Sequence, residues 1–141
     1  MKFAYVDGSF SNEKCGWGVV ICDGPYTRAS VLYEANGVLV DDNGHRQIGG
    51  ELKAAMVALW WAIQHGVHEM EIVYDYDGIR KWVTGEWHAK KPMTKTYQRW
   101  MRNQIETNGI LVYWKHVKGH SGDPGNERAD QLAKDATGVQ S

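Results

Sequence analysis

The chain predicts an α/β fold in which a five-stranded mixed sheet, three strands antiparallel and two parallel, is flanked by helices. Three observations carry this. Short alternating segments crowd the first 36 positions, as in an antiparallel meander. Later segments run strand, helix, strand, a connection that implies parallel pairing. The full order reads βββαβααβα, and 141 residues suit one domain, 1–141, that buries about two thirds of the surface its unfolded chain would expose.

Lys2 to Asp7 alternates, with Phe3, Tyr5 and Asp7 on one face and Ala4 and Val6 on the other. A second strand is expected around Gly16 to Cys22, a turn at Asp23-Gly24-Pro25, and a third strand around Ala29 to Asn36. Asp41-Asp42-Asn43-Gly44 reads as a loop. Leu52, Ala55, Met56, Leu59 and Ile63 then recur at helical spacing, with Glu51 in the first turn, where a carboxylate complements the helix dipole. Gly49 and Gly50 come just before it. Two glycines weaken a helix, so something is expected to approach the backbone closely there, as a nucleic-acid strand would.

Met70 to Tyr74 is a short strand with Asp75 at its carboxyl end, the end where ligands gather in parallel sheets. Asp77 reads as the cap of a helix near Gly78 to Thr84. A helix near Thr94 to Glu106 leads to a last strand, Ile110 to Trp114. A glycine-bearing loop follows, and Asp123-Pro124 reads as an N-cap and first-turn proline. In the final helix Ala129, Leu132, Ala133 and Ala136 mark a buried stripe. Asp130 lies at its rim, from where it can project into a cleft.

No apolar run is long enough to span a bilayer, and no leading stretch has the form of a signal peptide, so a soluble cytoplasmic protein is expected, without a membrane. Cys15 and Cys22 lack Cys-x-x-Cys spacing and receive no function. A net charge of −1 hides a segregation: Arg80, Lys81, Lys90, Lys91, Lys95, Arg99 and Arg102 stand against a lone Glu86, seven of the sixteen lysines and arginines in one segment. Charge runs are ordinarily solvated faces. Here Trp82, Trp87, Tyr97 and Trp100 interleave with the charges, which also suits a phosphate-tracking groove with aromatic platforms.

Four carboxylates stand out by context: Asp7 in Tyr5-Val6-Asp7-Gly8-Ser9, Glu51 in Gly49-Gly50-Glu51-Leu52, Asp75 in Ile72-Val73-Tyr74-Asp75, and Asp130 after Ala129. With Lys118-Gly119-His120 and Asn126-Glu127-Arg128, these motifs resemble the type 1 ribonuclease H family over nearly the whole chain, in the compact bacterial form without the long basic protrusion. The resemblance implies the ribonuclease H fold. If the four carboxylates share a cleft they repel one another, and cations are the natural remedy. Only oxygen ligands are on offer, which favours two Mg²⁺ ions, with Mn²⁺ as substitute, over zinc.

What the family implies is hydrolysis of the RNA strand of an RNA–DNA hybrid, leaving 3′-hydroxyl and 5′-phosphate ends. Asp7 would bridge the two ions, Asp130 would hold the one carrying the attacking water, and Glu51 and Asp75 the one facing the leaving group. His120 matches the family histidine that aids proton transfer or product release. The partner is the hybrid duplex, no obligate protein partner is implied, and a monomer is expected. Reading the RNA sugar needs contacts to the 2′-hydroxyl. Gly8, Ser9, Asn12, Gln47, Gly49 and Gly50 are candidates for these, with Trp82, Trp87, Lys90, Lys91 and Lys95 on the duplex backbone.

The chain departs from the family pattern in two places. Gln47-Ile48 stands where many members carry an asparagine pair, and only a short loop around Lys90-Lys91-Pro92 stands where others have an extra helix. The competing readings are a catalytically idle hybrid-binding module and another nuclease of the same fold, such as a transposase, integrase or Holliday-junction enzyme. A binder has no need of an acidic cluster facing phosphates.

Overall fold

A computed structural model describes residues 1–119 and 122–138. In chain order it contains β1 (Lys2–Ser11), β2 (Lys14–Cys22), β3 (Val31–Leu39), α1 (Gln47–Gln64), β4 (Glu69–Tyr74), α2 (Gly78–Thr84), α3 (Pro92–Asn108), β5 (Leu111–His116) and α4 (Pro124–Ala136). The sheet order is β3-β2-β1-β4-β5. β1 to β3 pair antiparallel, while β4 joins β1 and β5 joins β4 in parallel. This is the mixed five-stranded architecture the element order predicts.

Strand alternation decides what each face buries. Ala4, Val6, Val19, Ile21, Met70, Ile72 and Tyr74 meet Leu52, Ala55 and Leu59 of α1, Ile79 of α2, and Tyr97 and Met101 of α3 in the larger apolar cluster. Tyr5, Val20, Cys22 and Val73 point the other way and meet Ala129 and Leu132 of α4 in a smaller one. Two helices stop in the left-handed conformation at glycines, Gly85 after α2 (φ 88°) and Gly109 after α3 (φ 60°), which satisfies their last carbonyls without Cβ strain. At the start of α4, Asp123 accepts from Asn126 N at 2.8 Å ahead of Pro124, as its sequence indicates. Among the described residues no helix is long and apolar enough to cross a membrane.

Several local expectations give way. The third strand begins at Val31, because Arg28–Ser30 forms a 3₁₀ turn in which Thr27 and Ser30 cap each other through backbone and hydroxyl groups. α1 begins at Gln47, so Glu51 lies in its second turn, away from the orphan amides that a first-turn carboxylate would complement. Gly49 and Gly50 are therefore inside the helix and buried. What approaches Gly50 is the sheet: a Cβ there would strike the Gly16 carbonyl and Gly8 Cα. At Gly50, then, the close neighbour is the sheet and not the nucleic-acid strand expected there, while Gly49 faces the side chains of Leu39, Met93 and Asp42. Asp77 does not cap α2 through its side chain, since its own backbone is already helical (φ −51°, ψ −34°) and its carboxylate instead faces Lys81 Nζ at 3.7 Å and His116 Nε2 at 3.4 Å.

Candidate active site

The cleft is built where β4 ends and its parallel pairing with β1 stops, part-way along β1. The register pairs Tyr5 with Val73, and two residues further on come Asp7, still within β1, and Asp75, just past the end of β4. Glu51 arrives from one face of the sheet. α1 sits directly on the backbone of β1, because a Cβ on Gly8 would strike the Gln47 carbonyl and the Glu51 amide. Asp130 arrives from the other face. α4 sits equally low on β2, since a Cβ on Gly18 would strike the Ala129 carbonyl, and Gly18 is the residue paired with Asp7. All four carboxylates line one cleft of about 570 Å³ with Gly8, Gln47, Ile48, Tyr76, Asp77, Trp87, His116, Gly119, Asn126 and Glu127.

Backbone amides and one lysine orient these acids. Glu51 Oε1 accepts from Asp75 N at 2.9 Å and Tyr76 N at 3.2 Å. Asp75 Oδ1 accepts from Gly119 N at 3.0 Å, and Gly119 passes so close that a Cβ would collide with the same carboxylate. Asp7 Oδ1 accepts from Gly8 N at 2.9 Å. Asp130 Oδ2 pairs with Lys134 Nζ at 2.9 Å one turn along α4, and that contact raises the lysine pKa. Burial, with Glu51 next and then Asp130 and Asp75, pushes Asp7 up to about 8, partly offset by the Gly8 amide. Burial likewise pushes Glu51 up to about 7, against the two amides that favour its charged form.

These shifts test the cation expectation. Among the described residues no three acids are grouped tightly enough to hold one ion as they stand. The donor set is nevertheless all oxygen, and the desolvation and mutual repulsion that raise Asp7 and Glu51 are the penalties a divalent cation would relieve. The residues fit such an ion.

The other sequence candidates are dispersed. Gln47 is exposed at the lip of the cleft. Ser9 is buried at 8% exposure. Asn12 spends its amide on the Thr137 carbonyl at 3.0 Å, fastening the end of α4. Trp82 and Trp87 cluster with Tyr76, with ring centres 5.6 to 5.9 Å apart, Trp87 meeting the other two edge-on, and Trp87 reaches the cleft. Tyr97 is no platform: it is buried, and its hydroxyl donates to the Ile79 carbonyl at 2.6 Å. Trp100 also packs against the core. Lys90, Lys91 and Lys95 are exposed and make no ion pair among the described residues, whereas Arg80 pairs with Glu86 at 2.9 Å. His120 lies outside the described residues.

Sequence reasoning gave no site role to Tyr76, Asp77, His116, Gly119, Asn126 or Glu127, all of which line the cleft. For Gly119 and Asn126 the signal was present, since both belong to the motifs flanking His120 and Asp130. His116 reaches the cleft only because β5 runs two residues past Trp114.

Comparison with known proteins agrees with this geometry. The RNase H family model matches residues 2–138. The ribonuclease H of Verminephrobacter eiseniae is 34% identical over 139 residues, 92% of this chain and 85% of that protein. The ribonuclease H of Maricaulis maris is 37% identical over 119 residues, 70% of this chain and 79% of that one. Among solved structures, LC11-RNase H1 in complex with RNA/DNA hybrid matches with a TM-score of 0.79 at 21% identity, covering 98% of this chain and 97% of the other, a likeness of fold.

Proposed function

Since the chain belongs to the type 1 ribonuclease H family and is a ribonuclease H hydrolase, we propose that it cuts the RNA strand of RNA–DNA hybrids by a two-metal-ion reaction that leaves 3′-hydroxyl and 5′-phosphate ends. The observation that carries this reading is the convergence of Asp7, Glu51, Asp75 and Asp130 on one cleft at the carboxyl end of β4, where its parallel pairing with β1 stops. Two bound Mg²⁺ ions, or Mn²⁺ in their place, would supply the Lewis acidity for in-line displacement at a phosphodiester. The four carboxylates, Asp7, Glu51, Asp75 and Asp130, would hold them.

The rest of the cleft prepares those ligands. The amides of Asp75 and Tyr76 fix Glu51, the Gly119 amide fixes Asp75, and Lys134 screens Asp130 from its acidic neighbours. The Trp87 ring lies beside Lys81, whose Nζ is 5.3 Å from the ring centre, and offers an apolar wall with a positive flank for a nucleic-acid backbone. Exposed Lys90, Lys91 and Lys95, in the segment that follows Trp87, would add positive charge for the duplex backbone. His120 is assigned proton transfer or product release on the family resemblance.

Labelled RNA–DNA, RNA–RNA and DNA–DNA duplexes, incubated with and without Mg²⁺, test the reading. Only the RNA strand of the hybrid is expected to be cut, and only with metal. Equal cleavage of duplex DNA overturns the assignment.

A further inference from the structure

The sheet has two edge strands, and they differ. β5 forms one edge in six residues and ends in Lys115 and His116. β3 forms the other in nine, with no lysine, arginine or proline, and its one irregularity of register, opposite Ile21 and Cys22, lies at its start. Short strands, lysine, proline or a covering helix ordinarily protect such an edge. The one charged side chain of β3, Glu34, is held by Arg128 of its own chain through bonds of 2.8 and 2.9 Å. The helices are seated further in, α1 on Gly8 and Gly16 and α4 on Gly16 and Gly18. Of the seven large apolar side chains exposed among the described residues, Leu32, Val38 and Val40 stand on β3 or directly after it, a concentration that singly scattered surface residues would not show.

Folded back about Ala35, this strand matches itself. Antiparallel pairing of two copies there sets Leu32 opposite Val38 and Glu34 opposite Asn36 on the face that carries α4, and Val31 opposite Leu39 and Tyr33 opposite Gly37 on the face that carries α1. Apolar meets apolar, the tyrosine finds room beside a residue without a side chain, and the carboxylate meets an amide. Asn36 gives one N–H to the Leu132 carbonyl at 2.8 Å, which leaves its second for Glu34 across the pair. Centring the pair one residue earlier would set Glu34 against its own copy, and like charges directly opposite are destabilising. Among the described residues the backbone of β3 bonds along its length only to β2, so its outer row of amides and carbonyls is open to such a strand.

We propose that two copies of this chain associate through β3, antiparallel about a two-fold axis at Ala35, joining their five-stranded sheets into one. This departs from the monomer that the sequence suggests, and it does not depend on which reaction the cleft performs. No residue of β2 or β3 lines the cleft, so the pairing leaves it open. β3 runs parallel to β1, each being antiparallel to β2, so the partner's β1 runs the opposite way and the two clefts open at opposite ends of the shared sheet. A lone strand pair is a small interface, and the association is accordingly weak and concentration-dependent.

Sedimentation equilibrium from micromolar to millimolar chain, without substrate, compares wild type with Leu32→Glu, Val38→Lys and the variant carrying both. The two positions are 48% and 42% exposed, so the chain keeps its fold, which thermal melts at the lowest concentration check. Wild type is expected to pass from the 16.0 kDa chain to twice that mass as concentration rises. Each single substitution sets a charge opposite an apolar residue at both symmetry-related places and should weaken Kd on the order of tenfold, since two cross-strand pairs are lost together. The double variant sets a carboxylate opposite an ammonium at both places and should recover most of that loss, which association in any other register would not produce. Wild type that keeps single-chain mass at millimolar concentration overturns the inference. So does a dimer that either single substitution leaves unchanged, or a double variant no tighter than the singles.

Discussion

Asp7→Asn separates the function of the cleft from its cost to the fold. In the metal-free protein Asp7 titrates at about 8 against an unperturbed 3.8, chiefly through burial and then Glu51. Below 3.8 the group is protonated in both folded and unfolded chains and costs nothing. As pH rises from there towards 8 the unfolded chain ionises and the folded one does not, so stability is lost steadily and stops falling above 8. By pH 7 about three pH units of that window have been crossed, an upper figure of about 4 kcal/mol at 1.36 kcal/mol per unit. Structural relaxation and water entry trim such penalties, so about 2 to 4 kcal/mol is the expected gain when asparagine removes the ionisation. The new Oδ1 can still accept from the Gly8 amide. For a chain of this size about 3 °C accompanies each kcal/mol, so at pH 7 in EDTA the variant should melt about 6 to 12 °C above wild type, with the difference closing by pH 4. It should not cut hybrid. Thermal melts across pH 4 to 9 make the measurement. A gain of equal size at pH 4, or a variant that melts below wild type at pH 7, would refute the reasoning.

Three further outcomes follow from the same structure. Mg²⁺ should raise the melting temperature of wild type with the logarithm of its concentration, as binding to the folded state alone requires, and Asp7→Asn should blunt the rise; identical shifts in both proteins would remove the carboxylates from any metal site. Replacing Lys90, Lys91 and Lys95 by alanine should flatten the log–log salt dependence of hybrid binding in Ca²⁺ by up to about 3 units, near 0.9 per lost phosphate contact, while turnover at saturating substrate survives; parallel lines without offset would make these lysines a solvated face. Gly18→Ala forces a methyl against the Ala129 carbonyl, so a loss of about 1 to 3 kcal/mol, typical of overpacking, should appear together with reduced turnover, and an unchanged melting curve would show that α4 has room to give.

Much of this was legible beforehand because the signals were local. The alternation from Phe3 to Asp7 told which side of β1 each residue would take, and both apolar clusters honour it. Asp123-Pro124 announced the start of α4 through cap chemistry contained in four residues. What escaped depended on partners distant in sequence. The glycine pair looked costly to a helix because propensity sees only the backbone, whereas the contact that needs a glycine at Gly50 comes from Gly8 and Gly16, more than thirty residues away. Asp77 looked like a cap because nothing near it in the chain shows that His116, on β5, faces its carboxylate. The Asp75–Gly119 bond, which ties two motifs together, spans 44 positions and leaves no trace in either one.

The unequal size of the two apolar clusters bears on how the cleft comes together. α1, which carries Glu51, is rooted in the larger cluster with α2 and α3. α4, which carries Asp130, rests on the smaller one and is otherwise fastened by polar clips: two bonds from Arg128 to Glu34, and the amides of Asn36 and Asn12 to the carbonyls of Leu132 and Thr137. Elements with few apolar contacts and exposed polar fastenings open at lower free energy than the core they sit on. The backbone amides of α4 should thus exchange with solvent through excursions that leave α1 and the sheet closed. During each excursion three of the four acids stay in place and the fourth departs, so how long the complete site persists is set by the hold of α4 on β1 and β2, where Gly16 and Gly18 let its backbone lie directly on the sheet.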